Sequence, residues 1–284
     1  MTINIRPANA ADTLACGQIC FEAFAAIADR HRFPRDFATP KEATDLISRL
    51  IDNNSFFGVV AERNGEVIGS NFLDERSTVT SVGPVTVDPR AQDKGVGRAL
   101  VTAALDRARE TRASSVRLMQ SAYHSRSFGL YAKLGFTYRE SFAVVQGPSP
   151  QDDDSLVVRR ADPPVLDACD ILCRGTHGFD RHGEVNDSIA AQTAHVVERE
   201  DRITAYTSGV GLFGHSIAES NADLQALIAA TDDYPGTGFL LPLRNASLLQ
   251  WCLARGLRIV SSMNLMTIGR YYEPTTPYLA SVGY

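Results

Sequence analysis

Apolar positions along the chain change period several times, and each change marks an element. Ile3 to Ala8 reads as a short strand. Ala15, Cys16, Ile19 and Cys20 then fall at the spacing of a helix face. Val59 to Gly69 reads as a hairpin, with Asn64-Gly65 as the pair that suits a two-residue turn. Val82–Val87 reads as a further strand, and Arg98–Thr111 as a helix with Leu100, Val101, Ala104, Leu105 and Ala108 on one face. Val116–Met119 predicts a strand, Ser127–Leu134 a helix and Phe136–Val145 an extended pair. The order strand, helix, hairpin, strand, helix, strand, helix, strand pair predicts an α/β class with an α+β mixed sheet.

The chain is also written twice. The opening strand and the Ala15-Cys16, Ile19-Cys20 helix are repeated by Leu156 to Ala161 followed by Ala168-Cys169 and Leu172-Cys173. The hairpin Val59–Gly69 has its counterpart in His195–Ala205. Leu134-Gly135-Phe136 is echoed by Arg255-Gly256-Leu257, each a helix ending at glycine before a strand. Three matches in one order predict two tandem copies of one unit, 1–148 and 155–284. The seam falls in the Pro-, Gly- and Asp-rich stretch Gln146–Asp154.

Composition narrows the function classes. A chain of 284 residues with 44% hydrophobic and 21% charged residues has a globular balance. The net charge of −5 is spread along the chain without a basic stripe, so no nucleic-acid partner is expected. No export signal and no run of about 20 apolar residues is read, which predicts a cytoplasmic protein with no membrane partner. Five cysteines without an export signal predict reduced thiols, buried as small hydrophobes on helix faces.

The chemistry concentrates between Val85 and Arg98. A strand ends at Val87, Pro89 breaks it, and Gly95 and Gly97 open a tight loop into a helix. Backbone N–H groups of the first helical turn then point outward at the positive end of the helix dipole, an anion site built from backbone. Lys94 and Arg98 add positive charge. The pattern Gln92-x-x-Gly95-x-Gly97 after Val-Asp-Pro resembles the acetyl-CoA-binding motif of the GNAT (GCN5-related N-acetyltransferase) superfamily. A second segment, Ser127 to Phe136 with Tyr131-Ala-Lys-Leu-Gly135-Phe136, is similar to the helix that ends in Leu-Tyr-x-Lys-Leu-Gly-Phe in that superfamily.

The resemblance implies two tandem GNAT-like domains, the first catalytic. It implies an N-acetyltransferase moving the acetyl group of acetyl-CoA to a primary amine of a small molecule or exposed residue, by direct attack and without a metal. Gln92, Asp93, Lys94, Gly95, Val96, Gly97 and Arg98 would hold the pyrophosphate. Val85, Thr86 and Val87 would supply backbone N–H groups to the thioester side, and Tyr131 would meet the departing sulfur. His124 stands where the family often has Asn, beside the pantetheine arm. Asp74 and Glu75 are the nearest candidate bases. Arg30 to Phe37 lies where the family shapes its acceptor pocket. A monomer or homodimer is expected.

Other signals point elsewhere. Gly209-Val-Gly211-Leu-Phe-Gly214 matches a dinucleotide fingerprint in letters, yet the next helix is expected only after Ser220 or Asn221. His177, Asp180, His182 and Glu184 crowd one polar loop without the spacing of a helical metal pair. The second copy has Ala218 to Asp223, without glycine, where the first has its loop, and Cys252 where the first has Tyr131. It reads as a degenerate copy that walls the acceptor pocket or adds packing, with a tail from Tyr271 to Tyr284 that could reach the first domain. A non-catalytic acyl-CoA-binding module is the alternative.

Overall fold

The computed structural model describes residues 3–150 and 156–283. The chain divides into two compact units, one of residues 1–138 with 266–269 and one of 139–265 with 270–284. The expected seam at Gln146–Asp154 lies partly outside the described residues. The observed division falls at Tyr138/Arg139, before the expected boundary at 148, because the strand that begins at Thr137 pairs, from Phe142 to Val145, with Phe239–Pro242 of the second unit.

The first unit runs β1 (Asn4–Pro7), α1 (Thr13–His31), α2 (Pro40–Asp52), β2 (Phe56–Arg63), β3 (Glu66–Asp74), β4 (Val79–Val82), β5 (Thr86–Val87), α3 (Val96–Glu110), β6 (Ser115–Ser121) and α4 (Ser125–Lys133). Its sheet has the order β1-β2-β3-β4-β6, with β5 on β3 and the Met266–Gly269 stretch beside β6. β4 and β6 pair in parallel, whereas β1-β2, β2-β3, β3-β4 and β3-β5 are antiparallel. Asn64 and Gly65 both adopt positive φ, 55° and 82°, and so make the expected hairpin turn.

The helix α2 has no counterpart among the expected elements. Thr39 caps it by accepting from the Glu42 N–H, and Pro40 takes the first turn, where a missing N–H costs nothing. It packs on α1 so closely that a Cβ at Gly17 would lie 2.3 Å from Thr44 Oγ1. By length and composition, Ala10–His31 suffices to cross a membrane. Here Cys16, Ile19, Cys20 and Ala28 of that stretch are buried within the unit.

Where Val82–Val87 reads as one strand, the structure has two short ones. Leu73 pairs with Val82 but Ser70 pairs with Thr86, so three residues, Gly83 to Val85, oppose two on β3. The break is a bulge, and Pro84, with no N–H to give, sits in it.

The second unit holds the rest of β7 (Thr137–Gln146), then β8 (Val157–Arg160), α5 (Leu166–His177), α6 (His182–Ala190), β9 (His195–Arg199), β10 (Arg202–Thr207), β11 (Ser216–Ala218), α7 (Asn221–Ala229), β12 (Phe239–Pro242), α8 (Ala246–Ala254), β13 (Arg258–Gly269, its end in the first unit) and β14 (Tyr278–Leu279). Strands β14-β11-β10-β9-β8 form one antiparallel sheet, and β12 pairs with β7. Phe136–Val145 is thus mostly one long strand and not a pair. The tail lies in this unit, with Tyr278 Oη donating to Glu140 at 2.6 Å. Ser220 caps α7 as expected, accepting from the Asp223 N–H.

Gly209–Gly214 lies in the connection between β10 and β11, with Gly214 folded so tightly onto Gly209 that a Cβ would sit 1.9 Å from its carbonyl oxygen. No helix opens there. The polar residues nearby close on one another: Ser208 Oγ donates to Glu184 at 2.8 Å, His215 Nδ1 meets the same carboxylate at 2.9 Å, and Tyr206 Oη meets His215 Nε2 at 2.7 Å. His182 is held by Asp170 at 2.6 Å. All five cysteines are free and buried. No group of three His, Cys, Asp or Glu is placed to hold a metal among the described residues.

Candidate active site

The site begins with a loss of strand pairing. The β4/β6 ladder runs Val79↔Ser115, Thr80↔Val116, Ser81↔Arg117 and then stops. Beyond Ser81 the chain turns through the bulge at Gly83–Val85 while β6 continues to Ser121, so the two strands part at their carboxyl ends. In sheets of this kind ligands enter at such a crevice.

The backbone of β5 faces it. Asp88 N–H bonds to Ile68 O at 2.9 Å, and Ser70↔Thr86 is the next residue pair two positions back. In an antiparallel ladder bonded pairs alternate, so Thr86 and Asp88 turn toward β3 while the N–H groups of Val85 and Val87 turn away from it. Thr86 is buried and its hydroxyl lies 3.0 Å from Ser70 Oγ. Its side chain therefore anchors β5, and the neighbouring amides are the ones left available.

The loop that follows is wound by its own residues. Asp88 accepts from the Arg90 N–H at 2.8 Å and pairs with its guanidinium at 2.7 Å, which holds the carboxyl below its usual range. Gln92 Nε2 donates to Val87 O at 3.2 Å, Arg126 of α4 also bonds Gln92 Oε1, and Arg126 pairs with Asp93 at 2.9 Å. Gln92 and Asp93 thus spend their side chains on the loop. Gly95 sits at φ 82° as the residue before α3, with no side-chain cap, and the first helical bond is Ala99 N–H to Gly95 O at 3.0 Å. The N–H groups of Val96, Gly97 and Arg98 precede it, and such groups need a partner from outside the helix. A Cβ on Gly95 would meet nothing within 4 Å, so its exposed side is open. Lys94 reaches Arg90 O at 3.4 Å, and Arg98 is exposed.

Tyr131 projects from α4 into the apolar cluster that includes Leu73, Val82, Leu118 and Phe136, with Val85 packed against it. Burial pushes its phenol up to about 12. His124 precedes α4, and its carbonyl accepts from Gln120 Nε2 at 2.8 Å and Ser127 Oγ at 2.9 Å. Its Nε2 is buried without a partner, and burial, then Arg126, lowers its pKa to about 4. It is a neutral imidazole at pH 7.

Asp74 and Glu75, the nearest candidate bases though better read as a polar turn, are held in ion pairs. Asp74 binds Arg76 at 2.6 Å, and Glu75 binds Arg107 at 2.9 Å. Asp36, inside the Arg30–Phe37 stretch but not among the candidate bases, lies in the connection between α1 and α2. That connection lies over the end of β6: Phe33 stacks on Tyr123 at 4.3 Å, and His31 lies 5.4 Å from the same ring. Asp36 Oδ2 is buried with no hydrogen-bond partner, and burial raises the carboxyl to about 6. The cue in the sequence is faint: an acid bracketed by Phe33 and Phe37.

Residues 22–136 match the acetyltransferase (GNAT) family. Among solved structures, a proposed acetyltransferase from Pyrococcus horikoshii superposes with a TM-score of 0.73 at 16% identity, over 96% of this chain and 92% of that one. A GCN5-related N-acetyltransferase from Sphaerobacter thermophilus gives 0.62 at 14% identity, over 97% of each chain. A tandem GNAT protein from the clavulanic acid biosynthesis pathway gives 0.54 at 15% identity, over 96% of this chain and 100% of that one. At these identities the likeness is one of fold, and it runs through both halves. Residues 22–136 thus match a GNAT acetyltransferase domain, and the fold of the chain over nearly its whole length is that of tandem GNAT proteins.

Proposed function

We propose that the first unit is an acetyl-CoA-dependent N-acetyltransferase acting on a primary amine of a small molecule or an exposed residue. The observations that carry this reading are two sets of backbone donors without a ladder or helix partner, Val85 and Val87 on β5 and Val96, Gly97 and Arg98 at the start of α3, joined by one loop, with Val85 packed in the cluster of the buried Tyr131. Val96, Gly97 and Arg98 N–H groups, with Lys94 and Arg98 nearby, suit a pyrophosphate. Gln92 and Asp93 serve by shaping the loop. Neutral His124 suits the amide-rich pantetheine arm as a hydrogen-bond partner, not as a cation.

The amide of Val85 or Val87 would bond the thioester carbonyl oxygen and gain strength as charge builds on it. Holding amine and thioester together supplies much of the remaining acceleration. Tyr131 is best suited to donating a hydrogen bond while keeping its proton. Transfer from a phenol near 12 to a thiolate at its solution value near 8.5 is uphill by about 5 kcal/mol, at 1.36 kcal/mol per pKa unit. The second unit, with no glycine loop at Ala218–Asp223 and Cys252 in place of the tyrosine, is proposed as a degenerate copy without cofactor binding.

The test is thiol release from acetyl-CoA with a panel of primary amines, alongside calorimetry of coenzyme A binding. Amine-dependent release by the wild type, with Tyr131→Phe lowering kcat about tenfold or more at unchanged coenzyme affinity, is the expected result. Tight coenzyme A binding with no release for any amine would favour the non-catalytic module instead.

A further inference from the structure

A primary amine reaching this crevice arrives as an ammonium and must lose a proton before it can attack. The carboxylates that follow β3 toward the crevice are already in ion pairs: Asp74 and Glu75 each hold an arginine. His124 lies close by, yet burial and Arg126 keep it neutral and make it a poor proton acceptor. A different acid is placed for it.

We propose that Asp36 receives the acceptor's ammonium at Oδ2 and takes its proton. This rests on the N-acetyltransferase reading above and adds the residue that would prepare the nucleophile. Three observations support it. The connection carrying Asp36 is laid over the end of β6 by the Phe33–Tyr123 stack, at the carboxyl ends of the parting strands. Phe37, next in the chain, is buried in the cluster with Cys16, Cys20 and Phe72, and Cys16 also interacts with Ser70, which binds Thr86 of β5. Asp36 and the β5 donors therefore lie against the same helix. Finally, Oδ2 is buried with no donor, an arrangement that costs stability unless something binds there.

The charged and titratable groups around Asp36 leave it unneutralised. Cys20 from α1 and Tyr123 after β6 interact with it, and burial pushes both thiol and phenol up, so both are neutral at pH 7. Arg35, adjacent in the chain, is turned to Asp29 at 2.7 Å. Glu42, at the start of α2, accepts from the Ala38 N–H at 2.9 Å. Burial brings Asp36 to about 6, nearer the working range of a base at neutral pH than an ordinary aspartate.

The step balances without a further reactant. An ammonium N–H bond breaks and an O–H bond forms at Asp36 Oδ2. The freed nitrogen lone pair forms the C–N bond to the acetyl carbon, and the C–S bond breaks with its electron pair on sulfur. The second nitrogen proton leaves to the thiolate, Tyr131 steadying the sulfur meanwhile. Asp36 then returns its proton to solvent.

The experiment compares wild type, Asp36→Asn and Asp36→Glu by thiol release from acetyl-CoA against pH, using 2-phenylethylamine, glycinamide, lysine amide and an alanyl tripeptide. Coenzyme A affinity by calorimetry checks that the variants are folded. The expected result is a fall of about 100-fold in kcat/KM for Asp36→Asn, loss of the acid limb near pH 6, partial recovery in Asp36→Glu and unchanged coenzyme affinity. If Asp36→Asn works within threefold of wild type with the same limb, the assignment to Asp36 is overturned and the acetyltransferase reading stands. If the wild type releases no thiol with any amine, the acetyltransferase reading fails and takes this one with it.

Discussion

Replacing Asp36 by asparagine removes a buried charge without changing side-chain shape, and its effect on stability can be worked out separately from catalysis. Burial lifts the carboxyl from 3.8 to about 6. At 1.36 kcal/mol per pKa unit, holding it ionised costs the fold about 3 kcal/mol. The sign follows from proton counting. Between pH 4 and 6 the native state binds more protons at this group than the unfolded chain, so stability falls as pH rises through that window. Above it the penalty is complete; below it there is none. An asparagine amide still pays to be buried, which leaves a net gain of about 2 kcal/mol at pH 7.5. For a chain of this size that is a rise in Tm of roughly 4–8 °C. Thermal unfolding of both proteins at pH 7.5, 6, 5 and 4 reads it directly. The gap should shrink as pH falls and reverse slightly by pH 4, where little but the amide's own burial cost is left. A gap of equal size at every pH, or a variant less stable than wild type at pH 7.5, would refute the argument.

Two further outcomes follow from glycines. Gly97→Val should weaken coenzyme A binding at least tenfold by calorimetry while leaving the circular dichroism spectrum unchanged. A Cβ there meets Leu130 and Val87 at 3.5 and 3.8 Å, ordinary contacts, so the cost falls on the anion side; unchanged affinity would remove the loop from the binding site. Gly69→Ala should destabilise by about 1–3 kcal/mol in urea unfolding, since its Cβ would lie 2.6 Å from Thr86 O. A change under about 0.5 kcal/mol would show that β3 and β5 are looser than described.

What could be read from the letters alone was whatever local chemistry decides. Asn64-Gly65 had to turn, Ser220 had to cap, and Gly95 had to open α3, because few other conformations suit those residues. The helix α2 was legible too, in Thr39, Pro40 and Glu42 followed by Ala43, Ile47 and Leu50, but it carries no motif. Pro84 was the cue that Val82–Val87 could not be one strand. The parting of β4 from β6 is a property of pairing between strands distant in the sequence, and no local pattern encodes it. Asp36 was hidden for the same reason. An aspartate in a short connection is ordinarily solvated, and it takes distant contacts, Phe33 on Tyr123 and Phe37 among Cys16, Cys20 and Phe72, to fix this connection where its carboxyl is buried.

The contact between α1 and α2 at Gly17 sets a limit on how this protein can diversify. With Thr44 seated where any larger residue would project, a side chain at position 17 would force the two helices apart or displace Thr44. A relative with any residue other than glycine at this position must carry either a wider helix pair or a smaller residue than threonine opposite it.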